Sequence, residues 1–330
     1  MKIVRVHEYG DADVMRVEEL PEPQPGPGEV RVRAEAIGVG VPDMLMRSGN
    51  YNWIPPFPFA PGNELAGTVD AIGAGVTQLR EGDRVFVSAR ELPQRGGGYA
   101  EAIVVPAEAP FAMPAAVSAE AAVTLGNYQL AWLLLNYAAT PKAGQTILVH
   151  AAAGGAGSAL VQLAKRQGLT VYGIAGGAAK ARYVGELGAD AVIDRTAQDI
   201  GERVETLTGG AGVDFVFDSV GGPNFGRDFG MLGAMGMVVL FGYIGGQPDP
   251  NVYTPMRAAF GRSVALRMFS IHVLDDRPDI RRHAMEEAMA ALAAGEIAPR
   301  IHARLKLDAA AEAHRLLETG DVTGKVVLVP

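Results

Sequence analysis

Residues 151–157 read Ala-Ala-Ala-Gly-Gly-Ala-Gly, directly after the apolar run Thr146–His150 and directly before the helical segment Ser158–Gly168. A glycine-rich turn between a parallel strand and a helix lets backbone N–H groups close on a pyrophosphate, whose charge the helix N-terminus favours. Ala153, Gly154, Gly155, Ala156 and Gly157 are the residues so placed. The spacing departs from Gly-x-Gly-x-x-Gly, and a tight turn packed with small residues is the competing reading. The position of the loop, in the first unit of a repeated strand–helix array, favours a dinucleotide. One unit further on, an NAD site puts Asp or Glu at the strand end to bind the ribose 2′-hydroxyl. Here no acidic residue occurs from Ala151 to Gly185, and the strand end Ile174-Ala175-Gly176-Gly177 leads into Lys180 and Arg182. A 2′-phosphate fits that pattern, and Arg195, after the third strand, can reach the same adenosine side. For these three cations a solvated surface face is the alternative.

Other chemistries are poorly supplied. The 330 residues include no cysteine, which removes disulfides, thiolate nucleophiles and thiolate metal sites and fits a reducing compartment. The six histidines (His7, His150, His272, His283, His302, His314) show no i, i+4 pairing and read as surface or core residues. A net charge of −8 without a long basic run argues against nucleic acid as a partner. The first residues lack the apolar core of a secretory signal, so a cytoplasmic protein is expected. The uncharged stretch Phe229–Gly246 holds six glycines and reads as a buried strand between turns, with no membrane segment expected.

The elements that must position these residues form two textures. Residues 1–120 carry short β-like runs (Ile3–Val6, Glu29–Ala36, Gly67–Ile72, Arg84–Val87, Ala102–Val105) between Pro- and Gly-rich turns. From Thr146, apolar runs at Thr146–His150, Thr170–Ala175, Ala191–Ile193, Val213–Asp218 and Met237–Phe241 alternate with helix-length segments. These suit a parallel sheet covered on both faces. One more strand (Val264–Phe269), two helices (Arg281–Ala294, Asp308–Glu318) and a last strand (Lys325–Val329) follow. The expected layout is α/β: a β-rich domain from residues 1–120, a doubly wound domain over 121–262, and a return to the first domain over 263–330.

Several stretches together resemble the zinc-independent quinone oxidoreductases, within the medium-chain dehydrogenase/reductases. They are RSGNY (47–51), PFAPGNELAGTVDAIGAGV (58–76), EGDRV (81–85), GGYAE (98–102), VHAAAGGAG (149–157), DSVGG (218–222), GMVVLFGY (236–243) and GKVVLVP (324–330). The resemblance spans nearly the whole chain. It implies a GroES-like catalytic domain with an inserted Rossmann domain, a homodimer, and NADPH as cofactor. Gly154 to Gly157 would lie under the pyrophosphate and Lys180 near the 2′-phosphate. Tyr51 and the turn Phe241-Gly242-Tyr243 would border the nicotinamide. Zinc-containing relatives carry a cysteine near the Gly40 position and a histidine in a Gly-His-Glu; this chain has Asn63 in Gly62-Asn63-Glu64, so no metal is expected.

The chain also departs from its resemblance, with Gly40, Leu45 and Leu130 where relatives tend to carry Asn, Tyr and Thr. An acceptor pocket lined by Met44, Leu45, Met46, Trp53 and Leu130 is more apolar, although ordinary core packing explains Met46 and Leu130 equally well. Hydride transfer from NADPH to an activated small molecule needs mainly positioning, a dry site and a proton source. Tyr51 and Asp43 are the candidates for orienting the acceptor or relaying a proton. The activity implied is reduction of a quinone or similar carbonyl compound; reduction of an enone or enoyl-thioester C=C bond, or cofactor binding without catalysis, are the alternatives.

Overall fold

The computed structural model describes residues 1–330. They form two compact units, Met1–Gly126 with Met285–Pro330, and Asn127–Ala284.

The first unit opens with β1 (Lys2–Val6) and β2 (Met15–Glu19), an antiparallel ribbon, followed by β3 (Glu29–Val39), β4 (Glu64–Ile72), β5 (Arg84–Ser88), β6 (Ala102–Pro106) and the short β7 (Phe111–Ala112). β3 shows why the sequence pairs as it does. Val30, Val32 and Ala34 point into the core, while Arg31 and Arg33, between them, both reach Asp70 on β4, at 2.7 and 2.6 Å. Period-2 alternation thus puts branched side chains inside and a cross-strand charge cluster outside.

The second unit carries β8 (Thr146–Val149), β9 (Thr170–Ala175), β10 (Ala191–Asp194), β11 (Val213–Asp218), β12 (Leu232–Leu240) and β13 (Ala265–Met268). All are parallel, in the order β10-β9-β8-β11-β12-β13. Ile147, Leu148 and Val149 are fully buried, the continuous apolar run expected of a strand covered on both faces. Helices Gly155–Arg166, Ala178–Glu186 and Ile200–Thr208 connect successive strands. The chain then returns to the first unit through β14 (Ile301–Lys306) and β15 (Lys325–Val329). β15 runs parallel to β14 and antiparallel to β3, in a sheet ordered β14-β15-β3-β4-β5-β7 with β6 also on β3.

Three details differ from the sequence expectation. Residues 263–284 stay with the second unit, because β13 extends its sheet, pairing Met237–Leu240 with Ala265–Met268. β2 was not anticipated; in its sequence, Met-Arg-Val-Glu-Glu, only Met15 and Glu18 are partly buried, so no period-2 alternation announces it. The helix expected between the strands at Val213–Asp218 and Met237–Phe241 is reduced to a 3-10 turn, Phe225–Arg227, and one α-turn, Asp228–Met231, since β12 starts at Leu232.

Gly67 marks the tightest crossing of β3 and β4, next to a register shift between Ala34 and Ala36. A Cβ there would lie 1.9 Å from the Arg33 carbonyl oxygen. Gly67→Ala is therefore expected to lower the unfolding free energy by about 1–3 kcal/mol, the range for an overpacked core. The shift should show in the denaturant midpoint at unchanged slope; an unmoved midpoint would contradict this register.

Candidate active site

In the second unit the glycine loop sits between β8 and the helix Gly155–Arg166, whose N-cap is Gly154, in extended conformation. The loop is folded by Gly154 N–H donating to the Ala151 carbonyl (2.9 Å) and tied to β9 by Ala152 N–H donating to the Ile174 carbonyl (3.0 Å). A Cβ on Gly157 would fall 2.2 Å from the Ala151 oxygen, and one on Gly155 2.5 Å from Asn127 Nδ2. Gly157 is needed for close packing of the helix on its own loop, and Gly155 for its packing against Asn127. No side chain caps the helix, so the N–H groups of its first turn are left to a ligand or solvent. An uncapped helix start behind a turn of alanines and glycines fits a pyrophosphate.

At the end of β9, Gly176 and Arg195 come together. Arg195 N–H donates to the Ala175 carbonyl at 2.9 Å, and a Cβ on Gly176 would meet the guanidinium at 3.0 Å. Gly177 follows with φ +90°, then the helix that carries Lys180 in its first turn. A carboxylate does reach this turn, from the third strand. Asp194 Oδ1 accepts from Gly177 N–H (2.8 Å), Thr196 N–H (3.0 Å) and the Thr196 hydroxyl (2.7 Å). These bonds, the hydroxyl's first, hold its carboxyl below the usual range.

Beyond β12, the turn Phe241-Gly242-Tyr243 pairs with the turn that follows β11. Phe241 N–H donates to the Asp218 carbonyl (2.8 Å) and Gly245 N–H to that of Val220 (2.7 Å). Tyr243 is 40 % exposed.

In the first unit the helix Val41–Arg47 places Asp43 in a buried position, 1 % exposed. Asp43 Oδ2 accepts from Gly40 N–H (2.8 Å); Oδ1 accepts from Gly62 N–H (3.0 Å) and Asn63 Nδ2 (2.7 Å). Its carboxylate ties the start of its own helix to the Gly62-Asn63 segment, through two backbone N–H groups and one side-chain amide, rather than facing an open surface. Next to it the buried Lys325 ammonium pairs with Glu64, and a Cβ on Gly40 would lie 3.5 Å from Lys325 Nζ. Burial first, then the Glu64 charge, pushes the Asp43 carboxyl up to about 6, against the pull of Lys325 and the hydrogen bonds from Gly40 and Asn63. Tyr51, half-buried, packs on the small core of Val6, Met46 and Phe59, and its ring lies 5.4 Å from that of Trp53. Met46 is fully buried there, as a core residue and not as pocket lining.

Comparison with known proteins places this arrangement. Residues 26–115 match the alcohol dehydrogenase GroES-like domain, and residues 187–328 the family described as zinc-binding dehydrogenase. A mycobacterial protein solved in complex with NADPH is 35 % identical with a TM-score of 0.88, each chain covered in full. Escherichia coli quinone oxidoreductase complexed with NADPH is 29 % identical with a TM-score of 0.89, again over both whole chains. The Rattus norvegicus synaptic vesicle membrane protein VAT-1 homolog is 32 % identical over 303 residues, 87 % of this chain and 73 % of that one. The chain belongs to the quinone oxidoreductase family of the medium-chain dehydrogenase/reductases. Within this quinone oxidoreductase fold no three His, Asp or Glu side chains converge as a metal-ligand set, and no helix is long and apolar enough to cross a membrane.

Sequence reasoning missed Glu64 and Lys325, whose partnership spans 261 positions, and Asp194, hidden because strand adjacency rather than sequence brings it to Gly177. It also passed over His150, which lies 3.1 Å from the buried Asp228.

The raised Asp43 carboxyl has a thermodynamic signature. Its ordinary value is 3.8 and its folded value about 6, so between these pH values the native state holds a proton that the unfolded chain releases, and stability is lost as pH rises. Asp43→Asn cannot ionise. Its deficit relative to wild type should narrow by on the order of 2–3 kcal/mol from about pH 4 to about pH 6.5, in urea melts at the two pH values. A deficit that is the same at both would show that Asp43 does not titrate in that window.

Proposed function

We propose that this chain is an NADPH-dependent reductase that delivers a hydride to a quinone or similar activated carbonyl compound, without a metal. The observation that carries the reading is the meeting of Gly176 and Arg195 at the end of β9, one strand over from an uncapped glycine-loop helix. A guanidinium over a glycine leaves room for a 2′-phosphate. Two solved relatives are complexed with NADPH, which supports it.

NADPH, when bound, supplies the hydride. In this reading the backbone of Ala153 to Gly157 holds the pyrophosphate, with Lys180 and Arg195 at the 2′-phosphate. Phe241, Gly242 and Tyr243 border the nicotinamide side. Reduction of a quinone to the hydroquinone consumes one hydride and one proton, and the Tyr51 phenol is the group proposed to orient the acceptor and pass that proton. Asp43 acts indirectly, by fixing Gly40, Gly62 and Asn63. Metal independence is supported by the donor set. The chain has no cysteine, and Asn63 presents an amide N–H to Asp43 where a ligand would present a lone pair. Chelator treatment is expected to leave the activity unchanged, and elemental analysis to find no stoichiometric zinc. NADPH oxidation across quinones, enones and enoyl thioesters tests the acceptor: turnover confined to C=C substrates, or none with any of them, rejects the carbonyl assignment.

We also propose a cytoplasmic homodimer built on the second unit. β13 ends the sheet order with one edge unpaired, and Phe260, Met268 and Val273, on and around it, are 82 %, 67 % and 68 % exposed. A second copy would cover that edge. Light scattering at micromolar concentration should give twice the chain mass; a monomer mass contradicts the pairing.

Cofactor choice is open to residue-level attack. Lys180→Ala and Arg195→Ala should each weaken NADPH binding by about 1.5–3 kcal/mol, the range for a hydrogen bond to a charged group. Lys180→Ala should raise the NADPH KM at nearly unchanged kcat, the pattern of lost uniform binding. Gly176→Asp brings a carboxylate against Arg195. It should both neutralise that cation and repel the phosphate, shifting preference toward NADH. If both alanine variants leave the NADPH-to-NADH efficiency ratio unmoved, the phosphate is not bound there.

A further inference from the structure

A charged cluster lies where the strand order of the second unit reverses, and neither the pyrophosphate loop nor the 2′-phosphate site uses it. His150 directly follows β8 and Asp218 ends β11, the two neighbouring strands at the reversal. His150 Nδ1 is 3.9 Å from Asp218 Oδ1, and Nε2 is 3.1 Å from Asp228 Oδ1, in the α-turn Asp228–Met231. The three side chains are 15 %, 1 % and 3 % exposed.

Asp218 is also the post on which the neighbouring turn is hung. Its Oδ1 accepts from Val220 N–H (2.6 Å) and its Oδ2 from Gly221 N–H (3.1 Å). The turn so formed is zipped to the residues after β12. Phe241 N–H donates to the Asp218 carbonyl (2.8 Å), Ile244 N–H to Ser219 (3.3 Å) and Gly245 N–H to Val220 (2.7 Å), while Gly222 N–H donates back to Gly246 (2.9 Å). Gly221 has φ +61°, and a Cβ there would lie 3.3 Å from the Tyr243 ring. In an open parallel sheet, ligands bind outside the carboxyl ends of the strands at this reversal.

We infer that His150 is a positioning residue for the nicotinamide side of the site: held between Asp218 and Asp228, it fixes the carboxylate that shapes the 218–222 turn and, through it, the turn Phe241-Gly242-Tyr243. The inference rests on the NADPH reading and adds to it a residue that touches neither cofactor nor acceptor.

The electrostatics give the device a sign. Burial alone would keep the imidazole neutral, but the Asp228 and Asp218 carboxylates outweigh it and raise the histidine above its ordinary 6.5. Burial raises Asp218 as well, and the imidazolium opposes that shift. Asp218 from β11 and Asp228 from the α-turn are the charged groups that face the ring. A raised histidine is fully charged below its ordinary value, and its bridging is lost as pH climbs through the folded value.

The test compares two ligands in the full-length protein. NADPH spans both sides of the proposed site, whereas 2′,5′-ADP carries the 2′-phosphate and no nicotinamide. Their affinities are measured by calorimetry from about pH 6 to about pH 9 for wild type, His150→Gln and Asp228→Asn. Wild type should lose NADPH affinity with rising pH. His150→Gln should bind NADPH roughly tenfold more weakly at the low end, the lower bound for one lost charge-assisted contact, and with a flattened pH profile. Asp228→Asn should shift the wild-type decline to lower pH. All three should bind 2′,5′-ADP alike. The inference is overturned if His150→Gln retains the wild-type NADPH profile, or if it loses NADPH and 2′,5′-ADP affinity equally, the mark of general damage to the domain. A wild type that binds neither ligand overturns the NADPH reading itself, and this inference with it.

Discussion

Because every strand of the second unit runs the same way, all of their carboxyl ends fall on one edge of the sheet. That constraint concentrates the chemistry of the domain. The glycine loop after β8, Gly176 after β9, Asp194 and Arg195 at β10, Asp218 at the end of β11 and the Phe241 turn after β12 share this edge, although they are scattered over almost a hundred positions. Parallel pairing demands a crossover between each pair of strands. The crossover helices begin at that edge; Gly155–Arg166 and Ala178–Glu186 do so with no side-chain cap, leaving first-turn N–H groups there, while Ile200–Thr208 is capped by Asp199. The donor-rich character of the edge therefore follows from the hydrogen-bonding direction of the backbone before any side chain is considered.

The first unit solves a different problem, the burial of charge. Asp43, Glu64 and Lys325 lie close enough to influence one another, and two of them, Asp43 and Lys325, are almost fully out of water. An isolated ion in such a place is unstable, so each is compensated: Lys325 by Glu64, and Asp43 by three N–H donors. Small residues are what make room for the cluster. A Cβ at Gly126 would stand 2.0 Å from Glu64 Oε1, and one at Gly38 2.8 Å from the Val123 carbonyl oxygen. Asn63 completes the arrangement as a hydrogen-bond donor.

Much of the fold could be read from the residues alone. Val213–Asp218 and Lys325–Val329 are strands with the boundaries that their largely apolar runs suggest. β13 was legible as a strand, expected as Val264–Phe269 and found as Ala265–Met268, but it is short and largely exposed, and nothing in it announces that the second unit continues past residue 262. Within the candidate sites, what was legible was local: a glycine loop between a strand and a helix, and a strand end without an acid. What was hidden was lateral. Asp194 reaches Gly177 because β9 and β10 are neighbours, and His150 acquires two carboxylates because β8 and β11 are. Lacking those adjacencies, the histidine looks like any of the other five.

The place of β15 between β14 and β3 also sets an order of assembly. The strand that bridges the first unit's sheet is made almost last, nearly three hundred residues after its partner β3 leaves the ribosome. Asn127–Ala284 is contiguous and has every strand of its own sheet in hand long before that point. During synthesis the second unit can close as soon as it emerges, while β3 to β7 wait with one edge of their sheet open, the stage at which a nascent chain most needs protection from pairing with the wrong partner.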